Sequence, residues 1–181
     1  MIELIRSEHK YQGRAFSIRQ DHVRWPHGGT SQLDIVEHGG AVTILPVDEQ
    51  GNIFFVRQYR HAIGLELLEL PAGTLEAGEE PLVCAQREIQ EEIGMAAGEL
   101  QKIGDFYLAP GYSTEFMHIF LGTQLYSSQL PADDDEFLSV EQIPLPKVIH
   151  MAKNSQILDA KTLAVLFLAA PYLGISLDLS A

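Results

Sequence analysis

Cysteine is almost absent from this 181-residue chain: Cys84 stands alone, which excludes an internal disulfide and fits a reducing compartment. Cations are scarce too, with 12 Lys plus Arg against 25 Asp plus Glu, a formal charge of −13. A chain so poor in Lys and Arg is not built for sequence-independent nucleic-acid binding. If its substrate is anionic, something cationic must bridge the two, and a divalent metal is the obvious bridge. Long apolar runs are missing as well. The longest, Leu163 to Ile175, is broken by Pro171 and too short to span a bilayer. Residues 1–16 carry charges throughout, with no apolar core of signal-peptide length. The expectation is a soluble, cytoplasmic protein with no membrane or nucleic-acid partner.

What is present fits one globular domain: 46% hydrophobic and 20% charged residues, with no repeat or low-complexity tract. Residues 10–38 alternate loosely around Pro26-His27-Gly28-Gly29, suggesting two or three strands. Ala41 to Val47 reads as a strand buried on both faces. Asp48 to Asn52 is a turn, and Ile53 to Arg60 its expected antiparallel partner. Leu65 to Leu70 is a short strand, stopped by Pro71. A helix is marked from Glu80 to Ile93, with Pro81 in its first turn and Gly94 at its stop. Phe116 to Leu125 and Phe137 to Val140 read as strands, separated by the acidic loop Asp133 to Glu136. Pro146 to Ala152 and Asp159 to Ala170 read as closing helices, the second with Asp159 as N-cap. The mixture implies an α+β domain.

Chemistry concentrates in residues 73–95, GTLEAGEEPLVCAQREIQEEIGM. Leu82, Ala85, Ile89 and Ile93 recur at helical spacing and predict a buried stripe, with Cys84 away from it and incidental. Glu88 and Glu92 are neighbours one turn apart beside that stripe, and Glu91 lies on the same side. Three carboxylates within two turns repel, and the repulsion grows where water is scarce. A hard divalent cation removes that penalty. Arg87 can reach Glu91 or Glu79, and Gly73 and Gly78 let the preceding loop bend. Taken alone, such a Glu-rich face is more often simply solvated.

The full spacing changes that weighing. Gly73, Glu79, Arg87, Glu88, Ile89, Glu91, Glu92, Gly94 and Met95 resemble the Nudix hydrolase signature at every fixed position. A chance match in a chain of this length is on the order of one in a million or rarer. The resemblance implies a Nudix-type α/β/α sandwich with a mixed central sheet. Residues 1–40 are then an N-terminal strand region packed on the 41–181 hydrolase domain, the whole effectively one domain. It implies a loop–helix–loop that holds Mg²⁺, or Mn²⁺, through Glu88, Glu92 and Glu91, with the Ala72 carbonyl as a further ligand. Arg87 and Glu91 are expected in the catalytic machinery.

Flanking segments resemble the ADP-ribose pyrophosphatase subgroup: Glu69 to Gly73, Gln58 to Arg60, and Ala109 to Glu115. Glu115 occupies the place of a loop glutamate proposed as general base, although Thr114 replaces a commoner Asp. The implied reaction splits ADP-ribose into AMP and ribose 5-phosphate. A preference for another nucleoside-diphosphate sugar such as GDP-mannose is the alternative, and a hydrolytically silent nucleotide-binding regulator a remoter one. Arg60, with its planar fork of donors, is the candidate phosphate grip. Trp25 and Phe16 are candidates to stack on adenine. His38, His61 and His118 lack zinc-site spacing. The resemblance further implies a homodimer built through residues 10–38.

Overall fold

The computed structural model describes residues 1–131 and 137–175, so the acidic run Asp133 to Glu136 lies outside the described residues. The chain divides into two compact units. One comprises Met1–Ala41 with Asp105–Met117, the other Val42–Gly104 with His118–Ala181.

In the first unit, β1 (Glu3–Gln12), β2 (Ser17–Arg24) and β3 (Thr30–Glu37) form an antiparallel sheet in that order. The expected turn joins β2 to β3, where the Trp25 amide donates to the Gly29 carbonyl and Gly28 takes a φ of 92°. β1 starts ahead of the region the alternation marked, because nearly all of it is exposed and no apolar period identifies it. Residues 109–114 are stitched to β3: Ser113 forms a parallel bridge with Val36, and Thr114 N donates to the Val36 carbonyl at 2.9 Å.

The second unit is organised by β4 (Ala41–Pro46), buried along its whole length as its apolar run demands. With β7 (Ala72–Thr74), β8 (Met95–Tyr107) and β9 (Phe116–Ser127) it forms a sheet ordered β7-β4-β9-β8. A second sheet, ordered β10-β5-β6, joins β5 (Asn52–Arg60), β6 (Leu65–Glu69) and β10 (Leu138–Pro144), antiparallel throughout. The helices are α1 (Pro81–Ile93), α2 (Leu145–Lys153) and α3 (Ala160–Ala169). The expected α+β class is the one observed.

One sequence expectation requires correction here, and one strand was not expected. The β4–β5 hairpin does not form. Its turn exists, fastened by Asp48 Oδ1 accepting from the Gln50 and Asn52 amides. Beyond one isolated bridge, Val47 to Ile53, the strands part. The Val47 amide is spent on the Gly122 carbonyl of β9, and β5 is taken up by β10 and β6. β8 had no sequence signal, because glycine and charges interrupt its pattern from Gly98 to Lys102.

α1 is capped as its ends predict. Pro81 sits in the first turn, and Gly94 takes the left-handed conformation with φ 69° while its amide closes on the last carbonyls. Its buried face differs from expectation. Leu82 is exposed and Cys84 is wholly buried. The helix buries two adjacent i,i+4 rows, Cys84-Glu88-Glu92 and Ala85-Ile89-Ile93. Leu82 shares the angular position of Ile89 and Ile93 but sits in the first turn of the helix, where it is exposed. Val42, Ile44, Val56 and Phe120 complete the core under α1. Among the described residues, no helix is long and apolar enough to cross a membrane.

Candidate active site

The loop from β7 to α1 and the acidic row of α1 are fitted to each other atom by atom. Gly73 lies directly under the Glu88 carboxylate, so that a methyl group on Gly73 would collide with it. Only glycine permits that approach. One residue earlier, the Ala72 amide donates to Glu92 Oε2 at 3.0 Å, seating the Ala72–Gly73 peptide against the helix. Glu88 and Glu92 are both buried despite their charge. Sequence periodicity placed them at the rim of the apolar stripe, and they lie on its buried side.

Arg87 ties the constellation together. Its Nε and Nη2 donate to the two carboxylate oxygens of Glu79, each at 3.0 Å. Its Nη1 donates to Glu88 at 2.7 Å and to Glu91 at 2.8 Å. The bidentate guanidinium pulls the Glu79 carboxyl down to about 2, against the opposing effect of burial. Both partners foreseen for Arg87, Glu79 and Glu91, are thus engaged at once. Cys84, in the same corner, has its thiol pushed up by burial and by the Glu88 and Glu79 charges. It is a packing residue and not a nucleophile.

Among the described residues, no three acidic, histidine or cysteine side chains converge as a ready-made metal cluster. Glu88 and Glu91 instead share the Arg87 cation. The donor chemistry nevertheless fits a hard divalent ion: clustered carboxylate oxygens beside a backbone segment, with the lone thiol protonated and no imidazole in the row.

Arg60, at the end of β5, is half-exposed and makes a bidentate pair with Glu69 on β6, at 2.8 and 2.7 Å. The guanidinium read as a phosphate grip therefore has a dedicated partner. Glu69 is almost fully buried, and its carboxylate also accepts from Lys161 at the start of α3. Burial alone would raise the Glu69 carboxyl, but Arg60 and Lys161 outweigh it and hold it below the usual range. Sequence reading quoted Glu69 only as part of a motif and missed Lys161. A glutamate inside the apolar run Leu65 to Leu70 was the available signal, since a carboxylate there needs a buried cation.

Trp25, Phe16 and Glu115 belong to the first unit. Trp25 donates from Nε1 to Ser31 Oγ at 2.8 Å, while its ring remains partly exposed beside the β2–β3 turn. Phe16 is exposed and tilts against Tyr11 at 6.4 Å between ring centroids. Glu115 is held by its backbone: its amide donates to Ser113 Oγ at 3.1 Å, and its carbonyl accepts from the Leu108 amide. His38 likewise serves structure, its amide donating to Thr114 Oγ1 and its Nδ1 accepting from Gly40 N.

A glycine-bent loop clamped by one arginine onto an acidic helix row defines the class. The NUDIX domain matches residues 37–165, well over half of the chain, and the chain belongs to the Nudix hydrolase family. Among individual proteins, the ADP-ribose pyrophosphatase of Bacillus subtilis (strain 168) is 37% identical over 160 residues, covering 87% of this chain and 86% of that protein. The ADP-ribose pyrophosphatase of Mycobacterium tuberculosis (strain ATCC 25618 / H37Rv) is 47% identical over 125 residues, 68% of this chain and 60% of that one. A crystal structure of an ADP compounds hydrolase matches 96% of this chain and 94% of its own with a TM-score of 0.85. At 23% identity it shows a shared fold.

Proposed function

We propose that this protein hydrolyses the diphosphate linkage of ADP-ribose, giving AMP and ribose 5-phosphate, with Mg²⁺ as cofactor and Mn²⁺ as a substitute. The observation that carries this reading is the Glu79–Arg87–Glu88/Glu91 clamp beside the Ala72–Glu92 hydrogen bond. The full motif is present and folded. Glu88, Glu91, Glu92 and the Ala72 carbonyl would hold the cation. A cation held there would supply charge neutralisation of the diphosphate and a lowered pKa for a water molecule. Arg87 fixes the carboxylates and keeps Glu79 ionised. Arg60 binds a phosphate oxygen. Glu115 receives the proton of the attacking water on a carboxylate oxygen, and Trp25 and Phe16 stack on adenine.

The likeness to two ADP-ribose pyrophosphatases supports the choice of ADP-ribose over other nucleoside-diphosphate sugars. We further propose a cytoplasmic homodimer assembled through the first unit. Its support is β1, a sheet-edge strand exposing Leu4, Ile5 and Tyr11. Light scattering on purified protein reads the assembly directly, and a monomer at micromolar concentration refutes it.

The activity is tested by incubating purified protein with ADP-ribose, GDP-mannose and other nucleoside-diphosphate sugars in Mg²⁺ or Mn²⁺ and following nucleoside monophosphate release. ADP-ribose is expected to be turned over with the highest kcat/KM. Negligible ADP-ribose hydrolysis under all metal conditions overturns the proposal.

A further inference from the structure

Behind Arg60 the second unit buries a chain of charges that the motif does not include. Glu69 accepts from Arg60 with both oxygens and from Lys161 Nζ. Lys161 also donates to Asp159 Oδ2 at 3.0 Å, and the same oxygen caps α3 by accepting from Thr162 N and Thr162 Oγ1. Thr162 Oγ1 in turn accepts from the Leu70 amide at 2.9 Å. Two carboxylates and two cations thus form a set with no net charge. Their side-chain exposures differ sharply: 2% for Glu69, 9% for Lys161, 14% for Asp159 and 42% for Arg60. The set presents one charge outward, and it is the arginine.

The donor geometry matters as much as the charge. A guanidinium carries five N–H groups, one on Nε and two on each Nη. Glu69 uses the Nε–Nη2 edge, which leaves the Nη1–Nη2 edge for a second oxyanion. A buried ion set is an inefficient way to stabilise a fold, because apolar residues of similar volume often do as well or better. Its value lies in fixing where a charged group points.

We propose that Glu69 and Lys161 are positioning residues, which hold Arg60 with its free edge turned toward a phosphate of the bound diphosphate. Glu69 sets the plane of the guanidinium. Lys161 balances the Glu69 charge, so that Arg60 remains attractive to a second anion. The charge of Glu92 also reaches Arg60, which brings this group within electrostatic range of the acidic row of α1. The assignment rests on the proposed diphosphate chemistry and extends it to residues outside the motif.

The test is calorimetric binding of ADP and of adenosine, each with Mg²⁺, alongside hydrolysis kinetics. Arg60→Ala should weaken ADP about tenfold or more, as expected for losing a charge-assisted contact, and leave adenosine within about twofold. Lys161→Met should weaken ADP by roughly fivefold, with KM rising and kcat changing much less, and Lys161→Arg should restore most of the loss. The double variant Arg60→Ala/Lys161→Met should bind ADP no more weakly than Arg60→Ala alone, because Lys161 acts through Arg60. If Lys161→Met does not fold, Glu69→Gln carries the same cycle. Additive losses, or equal loss of ADP and adenosine, overturn the assignment. Arg60-dependent ADP binding without any hydrolysis would sink only the proposed activity, whereas hydrolysis with ADP affinity indifferent to Lys161 and Glu69 would sink only this inference. Failure of the wild type to bind ADP sinks both.

Discussion

Glu79 is the residue whose ionisation the fold alters most usefully. Its carboxyl is lowered from 4.5 to about 2, chiefly by the Arg87 hydrogen bonds. A depressed carboxyl stabilises the protein fully above its unfolded value and loses that contribution as pH falls through the folded one. The window is therefore pH 4.5 down to about 2. Glu79→Gln should cost roughly 2–3 kcal/mol at pH 6 and much less near pH 2.5, since the side chain is well buried. Urea unfolding of both proteins at the two pH values checks this, and a difference independent of pH would contradict it. Two further glutamates are separable by kinetics. Glu88→Gln should lower turnover by orders of magnitude, whereas Glu115→Gln should lower kcat at saturating metal and leave metal affinity nearly unchanged. If Glu115→Gln instead weakens metal binding with kcat intact, Glu115 is a ligand and not the base.

At the scale of elements, the junction between β7 and α1 is the least tolerant place in the second unit. A Gly73→Ala substitution places its methyl group on the Glu88 carboxylate, and the buried glutamate has little room to retreat. Activity should fall by about two orders of magnitude, through displacement of a group that must be placed within a fraction of an ångström, while the melting temperature changes by only a few degrees. Activity near that of the wild type would show that Glu88 need not sit over Gly73. This junction was legible in the sequence because its parts lie within 23 residues at fixed spacing, so local periodicity and capping decide its structure. The partnership of β4 and β5 was misread for the opposite reason. Adjacency in the chain favours a hairpin, but the Val47 amide is claimed by β9, more than seventy residues away. The burial of Cys84 depended on which side of the apolar row the sheet would cover, which a helical wheel alone does not tell. Lys161 was illegible for the same physical reason: it meets Glu69 across 92 residues, and nothing local marks that encounter.

At the scale of the whole molecule, a formal charge of −13 opposes any polyanionic ligand, and the acidic row of α1 concentrates that repulsion. Divalent cations should therefore stabilise the native protein by mass action. At about 100 times the dissociation constant the gain is roughly 2.7 kcal/mol, corresponding to about 5–10 °C in melting temperature for a chain of this size. Thermal melts in Mg²⁺ or Mn²⁺ read it, and Glu88→Gln should abolish most of the shift. An equal shift in that variant would place the cation elsewhere. The hydroxyl of Thr162 has a practical consequence at this scale. Because it receives the Leu70 amide from the segment that leads into the loop between β7 and α1, shortening the protein ahead of α3 would strip a hydrogen-bond acceptor from a segment encoded ninety residues upstream. Anyone trimming the carboxyl end for crystallisation should cut after Ala169 or expect a crippled enzyme.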